Sequence, residues 1–104
     1  MNNHKAVYRI LRYLKTSESY DEFDNDNFTC EYFNLTERQF AATLERLIDD
    51  SYIKGVMVKF GADGYPAISI SQPRITSRGL DYLEHDIRML EQAKLAKGIS
   101  ETVS

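Results

Sequence analysis

The chain has a single cysteine, Cys30, and it has no long apolar run and no signal-peptide pattern. One thiol cannot close an internal disulfide, and a lone cysteine suits a reducing compartment. The expected location is therefore the cytoplasm, with no membrane contact. Cys30 also lacks the company of a catalytic thiol, since neither His4 nor His85 is near it in sequence, and it is expected to be a buried apolar residue. Other catalytic signatures are missing too. The stretch "GADG" at 61–64 is too short for a phosphate loop and lacks the Lys-Ser/Thr ending. "DNDN" at 24–27 has the acids of a calcium loop, but counting from Asp24 a ligand position falls on Phe28 and the turn position on Thr29 instead of Gly. His85 has Asp86 beside it and not one helical turn away, so the two make no acid–base dyad. Seven tyrosines are better read as core-edge residues with wet hydroxyls than as a ligand cage. No catalytic residue, metal or cofactor is expected, and the chain is not read as an enzyme.

What is present is the composition of a small globular protein: 104 residues, 42% apolar and 28% charged. This is room for one domain, placed at residues 1–97, with 98–104 as a frayed tail after Gly98. The net charge of −3 is unevenly spread. Lys5, Arg9, Arg12 and Lys15 give residues 1–15 a charge of +4, so the remainder carries −7. Five acids crowd residues 18–27, whereas residues 54–78 hold Lys54, Lys59, Arg74 and Arg78 against Asp63 alone. Two basic segments flank an acidic one.

Periodicity supplies the elements. Val7, Ile10, Leu11 and Leu14 make the apolar stripe of a first helix, with its bases facing outward. "SESYDEFDNDNF" lacks periodicity and reads as a loop, followed by a short helical turn through Cys30–Phe33. Thr36 with Gln39 three residues on is a capping box, and Phe40, Leu44, Leu47 and Ile48 are the buried stripe of the helix it opens. "YIKGVMVKF" and "AISIS" are strands joined by a turn at Asp63-Gly64. Thr76 caps a last helix in which Leu80, Leu83, Ile87 and Leu90 recur at spacings of three and four. Gly79, near its start, leaves room for another backbone to come close. The order is α+β: helix, short helix, helix, two-stranded wing, C-terminal helix, which is a winged helix-turn-helix.

The residues at the junctions carry a family resemblance. "LIDDSYIKGV", followed after the wing by "ITSRGLDYL", is similar to the helix-to-wing and wing-to-helix junctions of many bacterial winged-helix proteins. Together with the "YRILRYLK" start and the acidic "YDEFD" loop, they resemble the YjcQ-type family of small bacterial and prophage winged-helix proteins over about residues 5–90. The resemblance implies the fold and carries no binding residues with it.

Two functions fit such a fold. In the first, the helix after Thr36 meets duplex DNA, with Arg38, Gln39, Thr43 and Arg46 at base edges or phosphates. Lys59 and Tyr65 on the wing would assist, and Lys5, Arg9 or Arg12 would add phosphate contacts. Four acids against two arginines on that helix, and a pI near 5.3, weigh against it. In the second, the domain is a protein-interaction module that never touches DNA. A homodimer through Ile87 and Leu90 on a protruding last helix is compatible with either, and the alternative is that Leu90 folds back over Val7 or Leu11 of the first helix.

Overall fold

The computed structural model describes residues 3–17 and 28–103, with side chains for 4–17 and 28–95. The acidic loop at 18–27, with its "DNDN" stretch and Tyr20, lies outside the described residues. The chain runs α1 (Asn3–Ser17), α2 (Glu37–Asp49), β1 (Ile53–Phe60), β2 (Pro66–Ile75), α3 (Ser77–His85) and α4 (Ile87–Val103). It is an α+β protein with four helices and one antiparallel hairpin, consistent with a winged-helix layout. No helix among the described residues is long and apolar enough to cross a membrane.

The apolar stripes close on one another as their spacing requires. Val7, Ile10, Leu11 and Leu14 of α1, Phe40, Leu44 and Leu47 of α2, and Ile53, Val56, Ile75, Leu83 and Met89 share one core. The expected turn after the loop is also there: Phe33 N–H donates to Thr29 O, and Leu35 N–H to Cys30 O. It presents Phe28 and Phe33 to Phe40, with Tyr13 and Tyr32 completing a ring cluster at centroid distances of 5.0–5.9 Å. Cys30 is half-buried against this core, less enclosed than its apolar character suggested. Burial is the main influence pushing its thiol pKa up, which keeps it in the protonated form of a packing residue.

Both ends of α2 follow from sequence chemistry. Thr36 and Gln39 exchange bonds as a capping box: Gln39 N–H donates to Thr36 Oγ1, and Thr36 N–H to Gln39 Oε1. At the other end Tyr52 N–H reaches back to Leu47 O and Ser51 N–H to Ile48 O, with Ser51 in the left-handed region at φ 63°. This is a Schellman ending in which Ser takes the place usually held by Gly.

The two junctions that carry the family resemblance are neighbours in space. Thr76 N–H donates to Tyr52 O, the Thr76 hydroxyl donates to Ser51 O, and Thr76 Oγ1 accepts Gly79 N–H to start α3. A Cβ on Gly79 would run into the carbonyl oxygen of Tyr52, so only glycine lets α3 dock this closely.

Three expectations need correction. β2 does not stop after "AISIS" but continues through Pro73 to Ile75, because the ladder resumes at Lys54↔Arg74 and Ile53↔Ile75 beyond an irregularity. The last helix is two helices. It breaks at Asp86, which is extended at ψ 134° and turns its carboxylate onto Arg88 N–H, so α4 starts with a fresh phase. Met89 and Gln92 are consequently buried while Ile87 and Leu90 are exposed, and α4 lies back along α1. The fold-back alternative thus describes the path of the chain, with Met89 in the role given to Leu90. Finally, α4 passes through Gly98 to Val103, since a single glycine costs a helix interior only about 1 kcal/mol and does not by itself end it.

Candidate nucleic-acid interface

The helix phase set by Phe40, Leu44 and Leu47 turns Arg38, Ala42, Glu45, Arg46 and Asp49 to solvent, as the sequence projection requires. Two of the proposed contact residues on α2 do not join them. Thr43 is 9% exposed, and its hydroxyl donates to Gln39 O. Gln39 is half-buried, with its side chain committed to the cap. The Thr43 hydroxyl is thus buried and bonded, and the Gln39 side chain is held at the cap through its Oε1. The sequence projection puts both on the flanks of the helix, and it does not resolve on which side of the boundary a flank position falls.

Of the secondary cations, Lys5 is exposed, but Arg9 and Arg12 have work inside the fold. Arg9 donates to Phe33 O and Tyr32 O and lies 5.9 Å from the centre of the Phe33 ring, so it pins the aromatic turn to α1. Arg12 donates to the Tyr8 hydroxyl at 2.6 Å and sits over the same ring. Lys15 meets Glu84 of α3 at 2.6 Å and holds that carboxyl below its usual range. Three of the four cations of the first helix are thus engaged by partners, Arg9 and Lys15 on neighbouring elements and Arg12 within the helix.

The hairpin is different. Its exposed ladder pairs are Lys54↔Arg74, Met57↔Ser69 and Lys59↔Ala67, alternating with the buried or half-buried pairs Ile53↔Ile75, Val56↔Ile70 and Val58↔Ile68. Between the two parts Gly55, at φ 82°, stands where a Cβ would strike Gln72 O, and Gln72 is itself left-handed at φ 52°. The irregularity keeps the apolar side on the core before and after it. Neither strand contains an Asp or a Glu. Lys54, Lys59 and Arg74 form no ion pair and no side-chain hydrogen bond among the described residues. Like charges directly opposite on a ladder cost stability, so the Lys54–Arg74 pair is an arrangement that folding alone does not favour.

The turn at 61–65 is closed by Gly61 N–H to Tyr65 O and by Asp63, whose carboxylate accepts Tyr65 N–H. Tyr65 is 64% exposed at its end. The guanidinium of Arg38 comes within 3.7 Å of the position a Cβ on Gly64 would occupy. The wing tip therefore stands beside the start of α2, and Arg38, Lys59 and Tyr65 belong to one region. Lys54 and Arg74 extend it toward the wing base. The sequence signalled these two only as part of a local positive excess, because their cross-strand pairing depends on the irregularity in β2.

A second feature joins α3 to the wing base. Tyr52 and Tyr82 stack at 4.4 Å and 14°, with Arg78 over the first ring and Arg88 over the second. An open groove of about 370 Å³ beside them is lined by both signs of charge, from Arg78, Asp81, His85 and Asp86. Burial pushes the Tyr82 hydroxyl pKa up, opposed by Arg88 and by Arg46, whose charge reaches it from α2. His85 lies 3.9 Å from Asp81 with both side chains largely exposed, an interaction of small weight. Among the described residues no three of His, Cys, Asp or Glu gather closely enough to hold a metal ion.

The model of a family described as YjcQ protein matches residues 8–102. The chain belongs to this family, and the match takes in α4, beyond the extent legible in the junction motifs. No curated protein and no solved structure matches it.

Proposed function

We propose that this member of the YjcQ family is a winged-helix protein that binds duplex DNA and has no catalytic activity of its own. One observation carries the reading. In a protein of net charge −3, the exposed side of the hairpin strands presents Lys54, Lys59 and Arg74 with no acid on either strand and Asp63 alone in the turn, next to Arg38 of α2. Unpaired cations set along an exposed ladder suit a polyanion, and phosphate neutralisation supplies most of the affinity of proteins for DNA. Arg38, Arg46, Lys59 and Tyr65 remain in the contact set, and Lys5 is available at a distance. Thr43, Gln39, Arg9 and Arg12 leave it.

Gel retardation of mixed genomic fragments by the full chain, at low and at moderate salt, tests this. Binding at low salt that weakens as salt rises is expected. No retardation of any fragment at low salt would overturn it.

A specific observation favours a second reading, a protein-interaction module. Ile87 and Leu90 are 73% and 43% exposed on the side of α4 turned from the core, with Arg88, Glu91 and Lys94 around them. An apolar pair flanked by both charges suits a two-fold contact with another copy of the chain. That contact and DNA binding are compatible, as paired half-sites need a paired protein.

A further inference from the structure

Resting on the DNA reading, we infer that the hairpin, and not α2, makes the principal contact: the exposed side of β1–β2 lies along the sugar–phosphate backbone, and α2 stays out of the major groove. Charge placement separates the two surfaces. The hairpin strands carry three cations and no acid, whereas α2 with its cap carries Glu37, Glu45, Asp49 and Asp50 against two arginines. Arg38 reaches the wing turn at Gly64, and Arg46 acts on Tyr82 of α3. Beyond Arg38 the exposed face carries Ala42, Glu45, Arg46 and Asp49, a net charge of −1.

A helix in the major groove is flanked by two phosphate strands. Seating this face there would carry Glu45 and Asp49 to well within one Debye length of them, about 10 Å at 0.1 M salt, with Arg46 alone beside them to offset the repulsion. The hairpin meets a smaller penalty, since its one acid, Asp63, stands in the turn beside Lys59 and Arg38. From Lys54 to Lys59 the strand rises about 16 Å at its usual pitch. That length spans roughly five phosphates of one DNA strand, measured along the duplex axis. Lys54 with Arg74 at one end and Lys59 with Arg38 at the other then hold two separated stretches of backbone. Met57 and Ser69 between them are the sizes and chemistries that pack on deoxyribose. Such contacts fix position and carry no sequence information, so random and genomic duplexes bind alike.

The test is fluorescence anisotropy of a labelled random-sequence duplex with the full chain and two variants, each checked for folding by thermal melting. In the hairpin variant Lys54, Lys59 and Arg74 become Gln; in the α2 variant A42Y places a bulky side chain in the middle of the exposed helix face and leaves the charge unchanged. Expected is a loss of at least thirtyfold for the hairpin variant, with a salt dependence shallower by about three in the log–log slope. The α2 variant should bind within threefold of the parent. If the triple variant does not fold, the three single variants each lower the slope by about one. Loss of binding in the α2 variant, alone or together with the hairpin variant, would put the helix in the groove and overturn the inference while leaving DNA binding standing. A parent protein that binds no duplex at low salt would overturn both.

Discussion

At the scale of single residues, the junction between wing and helices depends on a few positions with no spare room. Gly79 faces the Tyr52 carbonyl, which also accepts Thr76 N–H. G79A must push this backbone away, and overpacking of that kind costs about 1–3 kcal/mol. Urea denaturation should report a loss of at least about 2 kcal/mol. A change within about 0.5 kcal/mol, the range of an ordinary surface substitution, would show that α3 does not dock on Tyr52. Ser51 tests the same region with the opposite sign. It holds a left-handed conformation that costs a non-glycine residue about 1–2 kcal/mol, partly offset by the chain entropy that glycine gives up. S51G should therefore stabilise by about 0.5–1 kcal/mol in the same assay, and a destabilisation would contradict the Schellman ending. Leu44, fully buried at the centre of the core, should lose about 2–5 kcal/mol as L44A. These residues were largely legible in the sequence, because caps, close-approach glycines and helical stripes are local signals. Thr36, Gln39, Thr76 and Gly79 all do what their neighbours imply. Thr43 was not legible: it lies on the boundary of the buried arc, where a rotation of a few tens of degrees decides between groove and core.

At the scale of elements, the break at Asp86 was the feature hidden from periodicity. Leu80, Leu83, Ile87 and Leu90 mimic one stripe, yet they belong to two helices of different phase. The sequence does hold a cue, since Asp is among the residues that favour a helix start. It stayed silent because an aspartate is equally at home on an exposed helix face. Arg88 bonds the Asp86 carboxylate through its backbone N–H, Nε and Nη2, and these bonds hold the carboxyl below its ordinary pKa of 3.8. A depressed folded value means that the contribution is complete above the unfolded value and is lost as pH falls through the folded one. The start of α4 should accordingly loosen only below about pH 4, which amide exchange at Arg88 and Met89 would follow. D86N keeps an acceptor for the N–H and should remove this acid step, whereas D86A should speed exchange there at neutral pH as well. An Arg88 amide whose exchange protection is unchanged in D86A would contradict the capping role. The same shift of phase bears on assembly. Cutting the chain at Asp86 would also remove buried Met89, so the two-fold contact is better tested with I87D/L90D, which changes only exposed residues. Sedimentation at high micromolar concentration should show a dimer for the parent and a folded monomer for the variant. A monomeric parent would dismiss the contact.

At the scale of the whole molecule, the sum of charges conceals the arrangement that matters. The first helix looked like the basic surface, but Arg9 and Lys15 hold α1 to the aromatic turn and to α3, and Arg12 pairs with Tyr8 within the helix. A group of unpaired cations is on the hairpin instead, where residues twenty apart in sequence, Lys54 and Arg74, become direct partners across the ladder. Pairings of that range escape local reading, and the irregularity between Lys54 and Val56 makes the register harder still to infer. The most direct test of this account is the salt dependence of binding between the full chain and a random-sequence duplex. Contacts to three or four phosphates predict that log K falls with log salt at a slope of about −3 to −4. A protein that shows no saturable binding at low salt, or binding that salt leaves unchanged, would contradict it.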